Sequence, residues 1–483
     1  MTMEKIRIDD YTWEIPRGAK PGMNVPARLI ASKKIIEELD QGVVDQITNV
    51  ACLPGIRRYA LCMPDGHRGY GFPIGGVAAF GVDDGVISPG GIGFDINCGV
   101  RLIRTNLHEK EVASKLRELI DTIFKLVPSG VGSTGIVKLN DREFDRLMAE
   151  GAAWCRDKGY AWDSDIEFTE QRGTIPGADP QFVSAKARER GFDQVGTLGS
   201  GNHYLEIQKV EFDPDCERDV AEKMGIVEPG QITIMVHCGS RGFGHQIGTD
   251  YLQSFGAAMK KYGIQTNDRE LACAPFKSPE GQAYYGAMAC AANTAFANRQ
   301  VITHRIREAF TSVFGRSAEE LGMYLVYDVA HNIAKIEEYE IDGRRERLIV
   351  HRKGATRAFG PGSTDLPDKY KQVGQPVLVG GSMQTESYLL VGTAKAGELT
   401  FASTLHGAGR TMSRAAAMKK IHGARLREEM EKQGILIRTI SLKGLAEEAG
   451  FAYKNVETVV STVHNLGISR KVARLKPLAN IKG

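Results

Sequence analysis

No run of eighteen apolar residues occurs in this 483-residue chain, and the alanine-rich stretch from Met288 to Ala297 is interrupted by Asn293, so a membrane span is not expected. A secretory leader is not expected either, because the opening "MTMEKIRIDD" is charged where a leader needs an apolar core. The eight cysteines follow no regular frame, which argues against a disulfide scaffold and points to a reducing, cytoplasmic setting. A strong charge of one sign is missing too. With a formal balance of +3, composition neither demands nor excludes a nucleic-acid partner, and any basic groove must be local.

Several familiar devices are absent. No G-x-x-x-x-G-K-[ST] sequence occurs, which excludes a P-loop enzyme, and the lack of H-E-x-x-H argues against a zincin. Nucleotidyl transferases that use lysine carry Lys-x-Asp-Gly; the nearest matches here, "MPDG" at Met63 and "EIDG" at Glu340, lack the lysine. If a nucleotide is activated covalently, the nucleophile is another group.

The content that is present, 42% hydrophobic and 25% charged, is that of an ordinary globular chain long enough for two to three domains' worth of core. Apolar residues at helical spacing predict helices over Lys110–Val127, Gln282–Phe314, Arg414–Lys432 and Val456–Asn465, stopped by Pro128 and by glycines at 434 and 467. Short β-branched or aromatic runs, "QITIMVH", "GMYLVYDVAH", "RLIVHR", "QPVLVGG" and "SYLLVGT", predict strands. The fold class is α+β, with a single large mixed-sheet domain over 1–483 and surrounding helices. No repeat or clean boundary appears, and the polar, Gly/Pro-punctuated stretch 163–179 is expected to be a surface insertion.

Asp95 and Cys98 lie three residues apart in "GFDINCGVR", with the nearest other cysteines at Cys62 and Cys155, so the pair must find partners elsewhere. Four of the eleven histidines stand at glycine- or asparagine-containing turns: His203, His237, His331 and His406. Any one alone is best read as bonding its own turn. Together with a thiolate and a carboxylate they suit a first-row transition metal better than magnesium or calcium. Cys238 follows His237 in a strand and should therefore point to the opposite face. His67, His245 and His351 are as readily structural as functional. Glycine clusters at 199, 239, 380 and 407, beside Asn202, Arg241, Asn332 and Arg410, suggest an anion pocket.

The motifs "PDGHRGYGFPIGG", "GGIGFDINCGVR", "GSGNHYLE", "VHCGSRG", "YDVAHN", "HRKGATRA" and "HGAGR", in that order and with a terminal "IKG", resemble the RtcB family of RNA ligases from about Trp13 to Gly483. The resemblance implies an RtcB-like fold and an enzyme that joins an RNA 3′-phosphate or 2′,3′-cyclic phosphate to a 5′-hydroxyl, using GTP and manganese(II), in tRNA splicing and RNA repair. It implies two manganese ions held by Asp95, Cys98, His203, His237 and His331, with Cys98 bridging, and His406 as the residue that takes up GMP. For guanine it implies Glu206, Lys482, Tyr453, Tyr204 and Ser387. Asn202, Asn332, Ser382, Gly407, Ala408, Gly409 and Arg410 would neighbour the ribose and phosphates. Asp65 is a candidate for orienting His406, and Arg190, Lys353, Arg357 and Arg414 are candidates for an RNA groove. Expected partners are RNA with broken ends, tRNA halves among them, and an archease activator. A metal-dependent phosphoesterase and a non-catalytic RNA-binding protein with a structural metal are the alternatives.

Overall fold

The computed structural model describes residues 3–483. Two large, mainly antiparallel sheets organise the chain. The first has seven strands in the order Ile6–Arg7, Thr12–Ile15, Ala27–Ile30, Ile56–His67, Ile74–Gly81, Arg344–Lys353 and Asn332–Ile341. The second runs Leu325–Ala330, Gly99–His108, Gln231–Cys238, Tyr204–Glu211, Ser469–Lys482, Ser387–Gly392 and Pro376–Val379, with Leu436–Thr439 added in parallel to Ser469–Lys482. The α+β expectation holds, and each predicted strand run contains a strand.

The second sheet is buried on both faces, and side-chain parity sorts its residues. Leu205, Ile234, Val236 and Cys238 join one apolar cluster with Leu119 and Ile306; Val100, Met235, Tyr204 and Leu389 join the opposite one. Because side chains alternate along a strand, His237 shares the face of Met235, and Cys238 turns away, as expected.

The helix Pro279–Phe314 links the sheets. Ser278 caps it by accepting from the Gly281 N–H, Pro279 occupies the first turn, and Gly315 ends it at φ +66°. Its small residues from Ala287 to Ala297 pack in the first sheet's core, whereas Ile302, Ile306 and Phe310 pack under the second. Two other predicted helices break. The 110–127 segment divides into Glu109–Val112 and Leu116–Leu126, and the 414–432 segment is interrupted at Ile421, whose backbone is extended.

The stretch 163–179 departs from expectation. Its exposed residues alternate with Asp165, Thr169, Glu170, Gly173 and Ile175, which are buried. Asp165 accepts two bonds from Arg307 at 2.6 and 2.7 Å, and Glu170 accepts from the Ala330 N–H at 2.8 Å while pairing with Lys335 and Arg357. The polar residues that read as solvent-facing are there to meet buried cations.

The densest such group is Asp328, fully buried between Arg101, 2.6 Å away, and Arg299, which holds both its oxygens at 2.8 Å. Burial alone would raise this carboxyl, but the two guanidiniums hold it below the usual range. Asp328→Ala should leave two buried cations uncompensated and cost about 3–5 kcal/mol. Urea unfolding should show a lower midpoint at an unchanged slope; an unchanged midpoint would mean that the cluster contributes no net stability.

Candidate metal and nucleotide site

The two sheets meet at His331, the single residue between strand Leu325–Ala330 of one and strand Asn332–Ile341 of the other. Its N–H donates to the Cys98 carbonyl at 2.9 Å, and the Asn97 N–H donates to the Asn332 carbonyl at 2.7 Å, which locks the joint to the Gly93–Cys98 loop. Behind that loop Arg299 donates to the carbonyls of Asn97, at 2.7 Å, and Cys238, at 2.8 Å. Asn97 itself adopts φ +53° and is held by Arg299 and by the Ala292 carbonyl.

Five side chains converge here. Cys98 Sγ lies 3.1 Å from His237 Nε2 and 3.5 Å from His203 Nε2; His237 Nε2 is 3.2 Å from His331 Nε2, and His203 Nε2 is 2.7 Å from Asp95 Oδ2. They form two overlapping groups, Asp95–Cys98–His203 and Cys98–His237–His331, whose donor atoms in each case lie within 4.8 Å of one another. Cys98 belongs to both. The His203 Nδ1–H is engaged by the Leu198 carbonyl at 2.9 Å, which directs Nε2 into the cluster. Burial and neighbouring imidazoles push His237 and His331 well below the ordinary histidine range, leaving them neutral with lone pairs available. One thiol, one carboxylate and three imidazoles are a donor set for divalent first-row metals. Cys238 stays outside both groups, its Sγ 3.0 Å from the Leu198 carbonyl. A third group, Asp213, Asp215 and Cys216, is occupied by cations of the chain: Asp215 pairs with Lys471 at 3.0 Å and Asp213 with Arg474 at 3.3 Å.

His406 stands next to this cluster at the end of a two-stranded ribbon, Ala355–Arg357 with Ser403–Leu405. Its ring centroid lies 4.8 Å from that of His331. Asp65, fully buried, accepts from His406 Nδ1 at 2.6 Å and from the His406 backbone N–H at 3.1 Å. Burial would raise Asp65, but the His406 ring and its hydrogen bonds, with Lys454 beyond, hold it below the usual range. A side chain at Gly409 would meet the Asp65 carbonyl at 2.1 Å, and its φ is +75°, so "HGAGR" can close on "PDG" only with glycine there.

A cavity of about 910 Å³ opens over both groups, and the sequence candidates distribute around it unevenly. Asp95, Cys98, Asn202, Tyr204, His237, His331, Asn332, Ser382, His406, Gly407, Ala408, Gly409, Arg410, Tyr453 and Lys482 line it. Glu206 and Ser387 lie behind the wall: Glu206 accepts from Gln208 at 2.7 Å and from Asn480, and Ser387 Oγ accepts from the Gly381 N–H at 3.2 Å.

The four basic candidates lie in different settings. Arg357 is fully buried with Glu170 and faces no groove, because its guanidinium neutralises that carboxylate. Lys353 borders the cavity with its ammonium turned to the carbonyls of Tyr70, Phe72 and Gly90. Arg190 is on a surface helix outside the cavity, bonded to Gln246 at 3.0 Å. Arg414 is at the rim, 2.8 Å from Glu448. Glu448 has no sequence signal, yet it gathers Arg410, Arg414 and the Tyr453 hydroxyl.

The family described as tRNA-splicing ligase RtcB matches residues 46–483. The chain is 55% identical over 485 aligned positions to the tRNA-splicing ligase RtcB of Archaeoglobus fulgidus, covering 100% of both chains. It is 54% identical to that of Thermococcus kodakarensis, covering 99% of this chain and 98% of the relative, and 48% identical to that of Nanoarchaeum equitans, covering 100% of both.

Two outcomes test this geometry. Cys98→Ala should weaken metal binding in both groups together, because they share that one sulfur; stoichiometry by metal analysis that shows one ion lost and another at full occupancy would assign Cys98 to a single site.

The second concerns pH. Burial pushes Glu206 up to about 7 from 4.5, against the pull of Gln208, Lys482 and Asn480. The folded chain thus keeps a proton that the unfolded chain releases, so this group's contribution to stability is full below about pH 4.5 and is lost as the pH rises through 7. The melting temperature of Glu206→Gln should gain on that of the native chain between pH 5 and 7 and then level off. Parallel profiles would place the Glu206 proton elsewhere.

Proposed function

This chain belongs to the RtcB family of tRNA-splicing ligases, and we propose that it seals RNA 3′-phosphate or 2′,3′-cyclic phosphate ends to 5′-hydroxyl ends through a guanylylated His406. The observation that carries the reading is the Asp65–His406 pair beside the metal-ligand cluster. A carboxylate only accepts, so the 2.6 Å bond places the imidazole proton on Nδ1 and leaves the Nε2 lone pair as the nucleophile. As Nε2 bonds to the α-phosphorus of GTP, positive charge grows on the ring and Asp65 stabilises it without taking the proton.

Asp95, Cys98, His203, His237 and His331 are the residues that would hold two manganese(II) ions, whose contribution is to neutralise charge on the phosphates and on the departing pyrophosphate. Asn202, Asn332, Ser382 and the backbone of Gly407, Ala408 and Gly409, with Arg410, would receive the ribose and phosphates. Tyr204 and Tyr453 flank the base, with Lys482 donating to a guanine oxygen. Lys482 now donates to the Gly201 and His203 carbonyls at 2.7 and 3.0 Å, and Glu206 is satisfied by Gln208 and Asn480, so guanine must compete for groups that already have partners. That competition favours a base offering both an acceptor and paired donors, which adenine lacks. RNA ends are the second substrate, and an archease activator is a partner by family likeness alone.

Incubation with α-labelled GTP and manganese should give a covalent adduct without RNA, labile in acid and stable in alkali as a phosphoramidate is. His406→Ala should abolish it and still bind manganese. An adduct persisting in that variant, or sealing with no adduct at any stage, would overturn the reading, and release of phosphate from RNA ends with neither adduct nor sealing would leave a metal-dependent phosphoesterase ahead.

A further inference from the structure

His67 lies on the cavity wall, and none of the roles above uses it. It ends strand Ile56–His67, two residues after the buried Asp65. Its Nδ1 is 3.0 Å from the Asp65 carbonyl oxygen. A carbonyl can only accept, which places the ring proton on Nδ1 and leaves the lone pair on Nε2. Among the described residues Nε2 has no protein partner and is not one of the enclosed unpartnered atoms, so it is open to solvent on the cavity wall. The backbone that carries the ring is fixed on both sides of Asp65, where Lys454 Nζ donates to the carbonyls of Pro64 at 3.0 Å and Gly66 at 2.6 Å.

The sealing reaction releases one proton that a group at the cavity must receive. Once the RNA 3′-phosphate carries GMP, the incoming 5′-hydroxyl must lose its proton as it attacks. Two imidazoles on the cavity wall then carry a free Nε2 lone pair: His67, and His406, whose Nε2 has passed on its guanylyl group while its Nδ1 stays bonded to Asp65. His67, Arg68 and Tyr70 line the same cavity as His406, Tyr204, Tyr453 and Lys482.

We propose that His67 Nε2 is the general base that receives the proton of the RNA 5′-hydroxyl in the sealing step. This inference rests on the ligase reading. The O5′–H bond breaks with its proton passing to Nε2; O5′ bonds to the 3′-phosphorus, and the bond from that phosphorus to GMP breaks. GMP leaves with the electron pair. The imidazolium then returns its proton to solvent from Nε2, because Nδ1–H stays on the Asp65 carbonyl. Burial pushes His67 down to about 4, with His406 and Lys454 also opposing charge and Asp65 favouring it, so the ring is neutral when RNA arrives. Incoming RNA phosphates raise its basicity at the moment it is needed.

His67→Asn separates this role from a structural one, since the asparagine amide can still donate to the Asp65 carbonyl but presents nothing at the Nε2 position. With an RNA bearing a 3′-phosphate, a second bearing a 5′-hydroxyl, GTP and manganese, the variant should still form the His406 adduct and the guanylylated RNA. That RNA should accumulate, and its joining to the 5′-hydroxyl strand, measured from pre-activated RNA, should slow by ~100-fold or more. In His67→Ala, added imidazole should restore joining in a concentration-dependent way. Joining at the native rate in His67→Asn would overturn the proposal, as would adduct formation falling in step with joining, which would make His67 a support for Asp65. Absence of any adduct in the native protein would instead overturn the ligase reading itself.

Discussion

Arg299 and Asp328 set the geometry on which the rest depends. The guanidinium is held on one side by both Asp328 oxygens and on the other by the carbonyls of Asn97 and Cys238, so a single buried ion pair fixes the turn before Cys98 and the end of the strand that carries His237. Arg299 comes from the long helix and Asp328 from the strand leading to His331. Helix, strand and ligand loop therefore cannot shift independently. A buried pair of this kind adds little net stability compared with apolar packing, and its value lies in specifying one arrangement.

Around that anchor the two sheets divide the work. The second sheet supplies His203 and His237 from its strand ends, and the first supplies Asp65. His331 stands at their junction, and the short ribbon that ends at His406 crosses to meet Asp65. Glu170, reaching the Ala330 N–H on one side and Arg357 of the ribbon on the other, ties the strand that leads to His331 to the ribbon that ends at His406.

Much of this was legible in the sequence. The donor residues stood out because cysteine, aspartate and histidine at glycine-rich turns are unusual chemistry at strand ends, and the Cys238 parity argument needed only the two-residue strand period. What stayed hidden was pairing over long separations. Glu170 and Asp165 read as surface polar residues because their partners, Arg357 and Lys335 for one and Arg307 for the other, lie more than a hundred residues away. Arg357 was misjudged for the same reason: exposure cannot be inferred from a charge whose counterion is unseen. Glu448 gathers three partners but sits in "AEEAG", where nothing distinguishes it from its neighbour. The helix over 414–432 broke because periodicity carries no information on the extended backbone at Ile421.

The bond network around Asp65 has a kinetic meaning. Its carboxylate holds both the ring and the main chain of His406, so the imidazole has no freedom to swing between two stations. In a guanylyl relay, an acceptor that cannot travel makes its partners take turns. Pyrophosphate would leave by the direction from which the RNA 3′-phosphate must enter, since both would face the same phosphorus opposite the same nitrogen. On the proposed reading the relay would therefore be ping-pong in form, with the first product cleared before the second substrate is served, and an excess of pyrophosphate would drive it backwards at the expense of RNA.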